Sequence, residues 1–442
     1  MSKAKRIFLG WAGKSLSRRN LLGVSFAALL STFSVGKVMA ASKVISATLL
    51  NNWQSTSATF VMKSLSTTSS VQTYIEYGYA KTGYGLKSAT LQLAKGATQN
   101  IVLTGLKPGT LIYYRVRYAS GTNKTFLSLA QASFETAKEA ANATFAVQAD
   151  PHMDENSSSD VYNGTLAQIV AANPAFLMDL GDIFMTDKLP QKTEANIRAR
   201  FELMKGFYAK LGTVPLKITL GNHDGENGYD KFNTKSYRKE YFPEQTGDLA
   251  YYSFTGPDQL HISLDPFTYT TTAPKVDGWQ WTLGKTQYEW LNKTLTESTA
   301  KYKFVYIHHL LVGDAQSRGG VEIAKFNEWG GYNKDGTYGF DKNRPGWAKP
   351  VHDLLVENKV SIVFKGHDHL YVKQESDGII YQTVPQPSHA GDKVNSNIEY
   401  GYLSGKVVGG SGFMKVSTST AGVKVDFVKY DGTIADSYIK NV

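Results

Sequence analysis

The chain contains no cysteine, which excludes a disulfide framework and any metal site built from thiolates. A bound metal ion would therefore need ligands from His, Asp, Glu or Asn side chains. Long apolar runs are missing as well. The stretch 21–36, LLGVSFAALLSTFSVG, contains Ser, Thr and Gly and is shorter than the roughly 20 apolar residues that a membrane-spanning helix needs. We therefore expect no membrane span in the mature chain.

Residues 1–41 have no acidic side chain, although they carry seven of the basic ones. The formal net charge of +10 for the whole chain thus falls to +3 when this segment is set aside. So small a charge gives no electrostatic support for a nucleic-acid partner. We therefore expect no specific nucleic-acid binding.

The same segment has the order of an export signal. A basic region comes first, the modestly apolar stretch 21–36 follows, and the small residues VMAA end it at 38–41. The pair Arg18 and Arg19 before that stretch resembles a twin-arginine signal. We predict a signal peptide over 1–41, export by the twin-arginine machinery, and a periplasmic or secreted protein. An uncleaved membrane anchor is the alternative.

The pattern of polar and apolar residues in the mature chain changes near residue 140. Between 42 and 139, short segments such as TYIEYGY (73–79) and TLIYYRVRY (110–118) alternate polar and apolar residues. This pattern predicts a small antiparallel β-sandwich, and LKPGTLIYYRV resembles a strand corner of fibronectin type III domains. From 143 to 442, strand and helix patterns alternate, which predicts an α/β domain.

Five polar clusters each come directly after a predicted strand. They are DPH (150–152), GD (181–182), GNHD (221–224), HH (308–309) and GHDH (366–369), and they contain six of the nine histidines. In open α/β sheets, ligands bind beyond the carboxyl ends of the strands, so the five loops can converge. Carboxylate, imidazole and amide groups can hold Zn, Fe or Mn without sulfur. The residue types therefore suit a pair of metal ions.

Over roughly residues 143–390, this series of clusters resembles the calcineurin-like metallophosphoesterase superfamily. The resemblance implies an αββα sandwich, in which helices flank two sheets, and an enzyme that hydrolyses phosphate esters. It also implies two metal ions, the first bound by Asp150, His152 and His369 and the second by Asn222, His308 and His367, with Asp182 as a bridge. His223 would face the substrate.

The order of a fibronectin-like domain and a phosphoesterase domain also resembles the purple acid phosphatases. The sequence departs from their pattern at two places. They have D-x-G where this chain has Asp150-Pro151-His152, and an iron-binding tyrosine where this chain has Met185. We therefore expect no purple colour, and the metal identity stays open among Fe, Zn and Mn. A phosphomonoesterase is the first choice, and a phosphodiesterase or nucleotidase with the same site is the alternative.

Phosphate esters are anionic and have poor leaving oxygens, which suits a site of this kind. Two cations about 3.5–4 Å apart can hold a bridging hydroxide for attack and neutralise the phosphoryl oxygens. We expect His223 to protonate the leaving oxygen and Asp224 to orient His223 or raise its pKa. Candidate substrate contacts are Arg344, Arg318 and His309. A solvated loop position is the plainer interpretation of each arginine, and a place behind the metal ligands is the alternative for His309.

A surface-binding protein is the alternative from another functional class. In that case the sandwich would bind a glycan or a protein, and the second domain would be an inactive scaffold. An inactive scaffold should have lost metal ligands, whereas all seven positions keep suitable residues. The sequence therefore favours an exported enzyme that acts on phosphorylated small molecules.

Overall fold

The computed structural model describes residues 38–50, 55–137, 143–154, 156–186, 188–212, 214–226, 237–242, 250–272, 277–312, 317–391, 394 and 396–441. The predicted signal peptide thus lies outside the described residues, except for its last four. Within these ranges, no helix has both the length and the apolar character needed to cross a membrane.

The segment before residue 138 is built of short strands. They are β1 (Val38–Ala41), β2 (Ile45–Leu50), β3 (Ser57–Ser64), β4 (Val71–Gly78), β5 (Leu86–Lys87), β6 (Leu91–Leu93), β7 (Thr98–Thr104), β8 (Leu111–Ser120), β9 (Leu127–Ser128) and β10 (Ala132–Glu135). One sheet has the order β1-β2-β3-β7, and the other has the order β10-β8-β4-β5, with β6 paired to β4 and β9 to β8. All these pairings are antiparallel.

The two sheets share one hydrophobic core. Alternate residues of β4, from Val71 to Tyr77, are buried, as expected for a strand with one covered face. The Phe60 ring of β3 packs edge-on against the Tyr114 ring of β8, with centroids 4.8 Å apart, and so links the sheets. The edge strand β1 consists of the residues that end the predicted signal peptide, so cleavage after Ala41 would remove it from the sheet.

The described residues from 143 onward mix strands and helices. The strands are β11 (Thr144–Gln148), β12 (Leu177–Asp179), β13 (Leu216–Ile218), β14 (Tyr252–Gly256), β15 (Gln259–Ser263), β16 (Tyr302–Ile307), β17 (Ile362–Lys365), β18 (Tyr371–Ser376), β19 (Ile379–Thr383), β20 (Lys406–Val408), β21 (Gly412–Ser419), β22 (Gly422–Lys429) and β23 (Ile434–Lys440). The helices are α1 (Ser159–Ala171), α2 (Glu194–Tyr208), α3 (Tyr237–Tyr241), α4 (Gly284–Thr296), α5 (Val321–Ala324), α6 (Asn327–Gly330), α7 (Phe340–Asn343), α8 (Val351–Glu357) and α9 (Ser396–Glu399). The sequence patterns near 160–172, 192–210, 285–295 and 350–358 predict helices, and α1, α2, α4 and α8 lie there.

These strands form two mixed sheets. The first has the order β13-β12-β11-β21-β22-β23, and β11, β12 and β13 run parallel in it. The second has the order β14-β15-β16-β17-β19-β18-β20, and β15, β16, β17 and β19 run parallel in it. The parallel strands lie at the middle of each sheet or reach one edge, and the remaining strands pair antiparallel.

Three hydrophobic cores join the sheets and helices. One contains Phe145 of β11 and Phe304 of β16, whose ring centroids are 5.0 Å apart, and so joins the two sheets. A second contains Leu166 of α1 and Phe201 of α2 with residues of the first sheet. A third contains Leu291 of α4 with residues of α8 and of the second sheet. Each fully buried large apolar side chain contributes roughly 1.5–3 kcal/mol to folding.

The topology brings the five polar clusters to corresponding ends of their strands. DPH follows β11, GD follows β12 and GNHD follows β13 in the first sheet, while HH follows β16 and GHDH follows β17 in the second. Because the strands within each set run parallel, their carboxyl ends share one edge of the sheet. The packing of the two sheets on a common core then places both edges beside one another.

Candidate functional site

The backbone turns sharply where the clusters leave their strands. Asp150, His152, Asp182, His367 and His369 have positive φ angles of 57°, 52°, 53°, 70° and 58°. Twelve described residues other than glycine have a positive φ angle, and these are five of them. Residues with side chains rarely adopt this conformation, and such strain concentrates at functional sites. The backbone geometry therefore marks the same residues as the sequence motifs.

Glycines let the loops approach one another closely. A Cβ atom on Gly181 would lie 2.7 Å from the Cα atom of Gly221, and one on Gly221 would overlap Asp182. A Cβ atom on Gly366 would lie 2.6 Å from an oxygen of the Asp150 carboxylate. The glycines of the GD, GNHD and GHDH clusters are therefore steric requirements for the convergence of these loops.

Asp150, His152 and His369 form the first group of candidate metal ligands. Each offers one ligand atom, and the three atoms lie within 4.8 Å of one another. Nε2 of His152 lies 3.6 Å from Oδ1 of Asp150, and Nε2 of His369 lies 3.5 Å from the same oxygen. Asp150 and His152 are buried, whereas one-third of the His369 side chain is exposed. The group thus has one open side.

Asp182, His308 and His367 form the second group, also with ligand atoms within 4.8 Å of one another. Nε2 of His308 lies 3.3 Å from Oδ2 of Asp182 and 2.9 Å from Oδ1 of Asn222. Nδ1 of His308 lies 2.9 Å from the carbonyl oxygen of Leu180, which fixes the ring and directs Nε2 into the group.

Asp182 lies between the two groups. Its Oδ2 atom is 3.6 Å from Nε2 of His152 in the first group and 3.3 Å from Nε2 of His308 in the second. The structure thus brings together all seven residues that the sequence nominates as metal ligands, with Asp182 where a bridging carboxylate is expected.

The donor set and its surroundings fit metal ions. Oδ1 of Asp150 and Nε2 of His152 are buried without a hydrogen-bond partner among the described residues, and a cation would supply one. Burial acts to raise the pKa of Asp150 and Asp182, but the surrounding histidines hold both below their usual range. The carboxylates of Asp150 and Asp182 are therefore ionised, as metal ligands must be. Burial acts to lower the pKa of His308, but the Asp182 carboxylate raises it to about 9, so a cation that binds this imidazole must displace a proton.

A cavity of about 610 Å³ opens over both groups. Four of the candidate ligands reach its lining, namely His152, Asp182, His367 and His369. Other residues that line it and bear on recognition are Asp154, Lys188, His223, Arg318, Asp368, His389 and Tyr400. A bound molecule in this cavity would contact both groups at once.

His223 lines the cavity beside Asp182. Its Nε2 atom lies 3.9 Å from Oδ2 of Asp182, and 24% of its side chain is exposed. Its backbone N–H donates to Oδ1 of Asp182 at 2.7 Å, and its carbonyl accepts from the Thr186 hydroxyl at 2.7 Å. These bonds fix the backbone of His223 and leave its imidazole facing the cavity.

Asp224 is buried beneath the same loops. Its carboxylate accepts the backbone N–H groups of Gly221 at 2.7 Å, Ile183 at 3.0 Å and Asp182 at 3.1 Å. These bonds tie the loop after β12 to the loop after β13. The structure thus gives Asp224 a bracing position, and its expected effect on His223 stays a prediction.

The two remaining candidates near the histidine clusters differ in exposure. Arg318 lines the cavity and donates from Nη1 to the carbonyl of His367 at 2.9 Å. His309 is buried, with its ring centroid 4.4 Å from that of Trp281 and 5.0 Å from that of Phe267. Burial, together with the neighbouring His308, lowers the pKa of His309 to about 3. The cavity lining does not include His309, so it supports the ligands from behind.

The structure does not bring Arg344 to the cavity. Its Nε atom donates to the buried carboxylate of Glu328, and its Nη2 atom donates to the carbonyls of Trp279 at 2.7 Å and Trp281 at 3.1 Å. The guanidinium charge of Arg344 is therefore paired with the carboxylate of Glu328 inside the protein. The expectation that Arg344 contacts phosphate finds no support in this arrangement. Its partner Glu328 lies 16 residues earlier in the chain, and the sequence alone does not pair the two.

Three charged residues that line the cavity were not singled out from the sequence. Lys188 pairs with Asp154 at 3.0 Å, and no motif marks either residue. Asp368 is buried, and in the sequence it lies between His367 and His369. Its place inside the GHDH cluster is the one sequence feature that could have marked it as a site residue.

Comparisons with known proteins concern the family and the fold of the chain. The calcineurin-like phosphoesterase family model matches residues 143–371. The solved structure of purple acid phosphatase PPD1 from yellow lupin (Lupinus luteus) seeds is similar, with a TM-score of 0.54, 14% identity, and coverage of 88% of this chain and 72% of that one. The structure of PhoD has a TM-score of 0.53, 14% identity, and coverage of 92% and 91%. At such identity the likeness concerns the fold. No curated protein matches the chain.

Proposed function

The chain belongs to the calcineurin-like phosphoesterase family and is a metal-dependent phosphoester hydrolase, and we propose that its substrates are phosphate monoesters. The family match spans slightly more than half of the chain and includes all five polar clusters. A phosphorylated small molecule is the expected substrate, since the cavity of about 610 Å³ has the size of a small-molecule site.

The proposal includes two metal ions, which are Fe, Zn or Mn. The first would be held by Asp150, His152 and His369, the second by Asn222, His308 and His367, and Asp182 would contact both. The buried Oδ1 atom of Asp150 and Nε2 atom of His152, which have no partner among the described residues, support this assignment. When bound, such ions supply positive charge for the phosphoryl oxygens and lower the pKa of water to about 7.

The chain's own side chains supply the remaining chemistry. His223 faces the cavity beside Asp182, where its imidazole can hold a proton for the leaving oxygen. Arg318 presents a guanidinium to the same cavity, where it can donate hydrogen bonds to phosphoryl oxygens. The buried loops tied by the Asp224 carboxylate fix the backbone around His223, and the His367 carbonyl accepts a hydrogen bond from Arg318.

The proposed architecture has three further features. Three cores that join helix, sheet, sheet and helix support an αββα arrangement from 143 to 442. Two antiparallel sheets around one core support a fibronectin type III-like domain over 42–139. The basic residues, apolar stretch and small residues of 1–41 support twin-arginine export to the periplasm or the medium.

One observation carries the functional proposal: His223 and Arg318 share a cavity lining with members of both candidate metal groups. The test uses the chain from residue 42, loaded with metal, and compares p-nitrophenyl phosphate with bis-p-nitrophenyl phosphate. Faster hydrolysis of the monoester supports the proposal. Faster hydrolysis of the diester would show a phosphodiesterase with the same site, and hydrolysis of neither reporter would contradict the monoesterase.

A further inference from the structure

Arg318 stands out among the cavity residues because its hydrogen-bonding capacity is only partly used. Its Nη1 atom donates to the His367 carbonyl at 2.9 Å and to Oδ1 of Asp368 at 3.3 Å. Its Nε atom is buried and has no hydrogen-bond partner among the described residues. A guanidinium offers five N–H donors, so this one retains donors for an anionic acceptor. The side chain is 24% exposed and lines the cavity.

The position of Arg318 is fixed from two sides. Its guanidinium carbon lies 4.4 Å from the ring centroid of Tyr400, which also lines the cavity. The next residue, Gly319, has a φ angle of 112° and donates its N–H to Oδ2 of Asp368 at 3.0 Å. A Cβ atom on Gly319 would lie 2.9 Å from the carbonyl oxygen of Tyr400. The arginine, its loop and the tyrosine therefore form one tightly packed unit.

Asp368 joins this unit to a second, deeper cation. Its Oδ2 atom accepts from Nζ of Lys365 at 2.6 Å and from the hydroxyl of Tyr402. Lys365 and Asp368 are both fully buried. Lys365 lies closer to the Asp368 carboxylate than Arg318 does, since Arg318 contacts the other oxygen at the longer distance of 3.3 Å. Two cations thus share one carboxylate, and the surplus positive charge lies at the cavity wall.

A second cation among the described residues of the cavity lining differs in this respect. Lys188 has its own carboxylate partner, Asp154, at 3.0 Å, and 41% of the Lys188 side chain is exposed. Water screens such a pair, and the pair carries no net charge. Of these two cations, Arg318 is therefore the one that shares its carboxylate with a second cation.

We propose that Asp368 is a positioning residue that holds Arg318 against Tyr400, and that Arg318 thereby makes the site prefer doubly charged phosphate monoesters over singly charged diesters. This inference rests on the proposed function, because it concerns the same cavity and the same substrates. A monoester carries one more negative charge and one more free oxygen than a diester. The guanidinium of Arg318, held beside His367, can attract the additional negative charge and donate a hydrogen bond to the additional oxygen.

The test compares wild type with Arg318→Met and Arg318→Lys. Arg198→Met is the matched control, because Arg198 also forms ion pairs, stacks on Tyr237 at 4.9 Å and is 29% exposed, but does not line the cavity. Each protein is assayed for metal content, for the dissociation constant of inorganic phosphate by calorimetry, and for kcat/KM with p-nitrophenyl phosphate and bis-p-nitrophenyl phosphate.

Loss of one charge-assisted contact predicts that Arg318→Met weakens phosphate binding about tenfold or more and lowers monoester kcat/KM by a similar factor. Diester kcat/KM should fall clearly less, so that the monoester-to-diester ratio drops. Arg318→Lys should restore part of the ratio, since it keeps the charge without the planar fork. Metal content should stay unchanged, and Arg198→Met should match wild type in every measurement.

Two further variants test the positioning step. Asp368→Asn removes the carboxylate, and Tyr400→Leu removes the stacking partner while leaving Asp368 and both histidines in place. Both should lower the monoester-to-diester ratio in the same direction as Arg318→Met, mainly through the monoester KM. A purely structural role for Asp368 would lower thermal stability and both activities together, without changing the ratio, and would contradict the positioning claim.

The inference is overturned if Arg318→Met binds phosphate as tightly as wild type, or if it lowers both ester activities equally. The calorimetric measurement decides this even in the absence of turnover. Wild type that binds phosphate through Arg318 but cleaves neither ester would instead contradict the proposed function alone. The two failures are therefore distinguishable.

Discussion

One oxygen of the Asp150 carboxylate accepts the backbone N–H of His367 at 2.8 Å, although the two residues are 217 positions apart in the chain. Asp150 follows β11 in the first sheet, and His367 follows β17 in the second. The hydrogen bond therefore joins the two sheets at the site itself. Both candidate metal groups depend on this junction, because Asp150 belongs to the first and His367 to the second.

The first prediction concerns His223 as the proton donor to the leaving oxygen. His223→Ala should lower kcat by roughly 10²–10⁴-fold for esters with poor leaving groups, such as phenyl phosphate. The loss should be smaller for p-nitrophenyl phosphate, whose leaving oxygen needs less protonation. His352→Ala serves as the control, because His352 bonds to Tyr381 and Asp377 outside the cavity. An equal loss on both esters would argue against proton donation.

The second prediction concerns Asp224. Asp224→Ala leaves the N–H groups of Gly221, Asp182 and Ile183 without their buried acceptor, which should lower the free energy of unfolding by on the order of 3 kcal/mol. Urea unfolding measures this loss, and Asp224→Asn should lose less because it keeps one acceptor oxygen. An Ala variant of normal stability with a strongly reduced kcat would instead support the expected action of Asp224 on His223.

The third prediction concerns pH and the buried Asp179, which accepts hydrogen bonds from Gln148, Tyr208 and the Gly181 backbone. Burial raises the pKa of Asp179 to about 7. The folded chain therefore keeps a proton that the unfolded chain releases near pH 4. Since the folded state binds more protons at Asp179 in that window, the contribution of Asp179 to stability should fall as pH rises from about 4 to about 7 and then level off.

The check is urea unfolding of wild type and Asp179→Asn at about pH 5 and about pH 6.5. Between these values the wild-type free energy of unfolding minus that of the variant should decrease by up to about 1.4 kcal/mol per pH unit. Identical slopes in the two proteins would show that Asp179 does not titrate in this window.

The fourth prediction concerns export. Replacing Arg18 and Arg19 together by lysine keeps the charge of the segment but should abolish twin-arginine export, and the chain should accumulate in the cytoplasm. Cell fractionation measures this, with the pair Lys5→Arg and Arg6→Lys as the control. N-terminal sequencing of the exported wild type should begin near Ser42. Export that survives the double substitution would point to another route.

Much of the site could be predicted because it follows from strand ends. Asp150 and Asp182 come directly after short buried runs, and parallel strands place such residues at one edge of a sheet. Strand lengths were less accurate. The pattern LHISLD (260–265) predicts a strand that ends at Asp265, whereas β15 ends at Ser263. The Asp265 carboxylate accepts the N–H groups of Phe267 and Thr268 and so turns the chain.

Other features could not be predicted, because they depend on partners that only the folded chain brings together. The sequence around Arg344 indicates a solvated loop arginine, whereas in the fold Arg344 pairs with Glu328. The buried pair of Lys365 and Asp368 looks like ordinary strand-end polarity, and its link to Arg318 spans 50 residues. Charge compensation of this kind follows from tertiary packing, for which a single sequence carries no periodic signal.

The most direct test of the account is the metal content of the purified chain from residue 42, measured together with p-nitrophenyl phosphate hydrolysis. Wild type should bind about two ions per chain, and Asp182→Asn should bind fewer and lose roughly 100-fold or more in kcat/KM, because Asp182 lies between both groups. The exposed Asp341→Asn should match wild type. A wild-type chain that binds no metal after loading, or an Asp182→Asn variant that keeps both ions and full activity, would contradict the account.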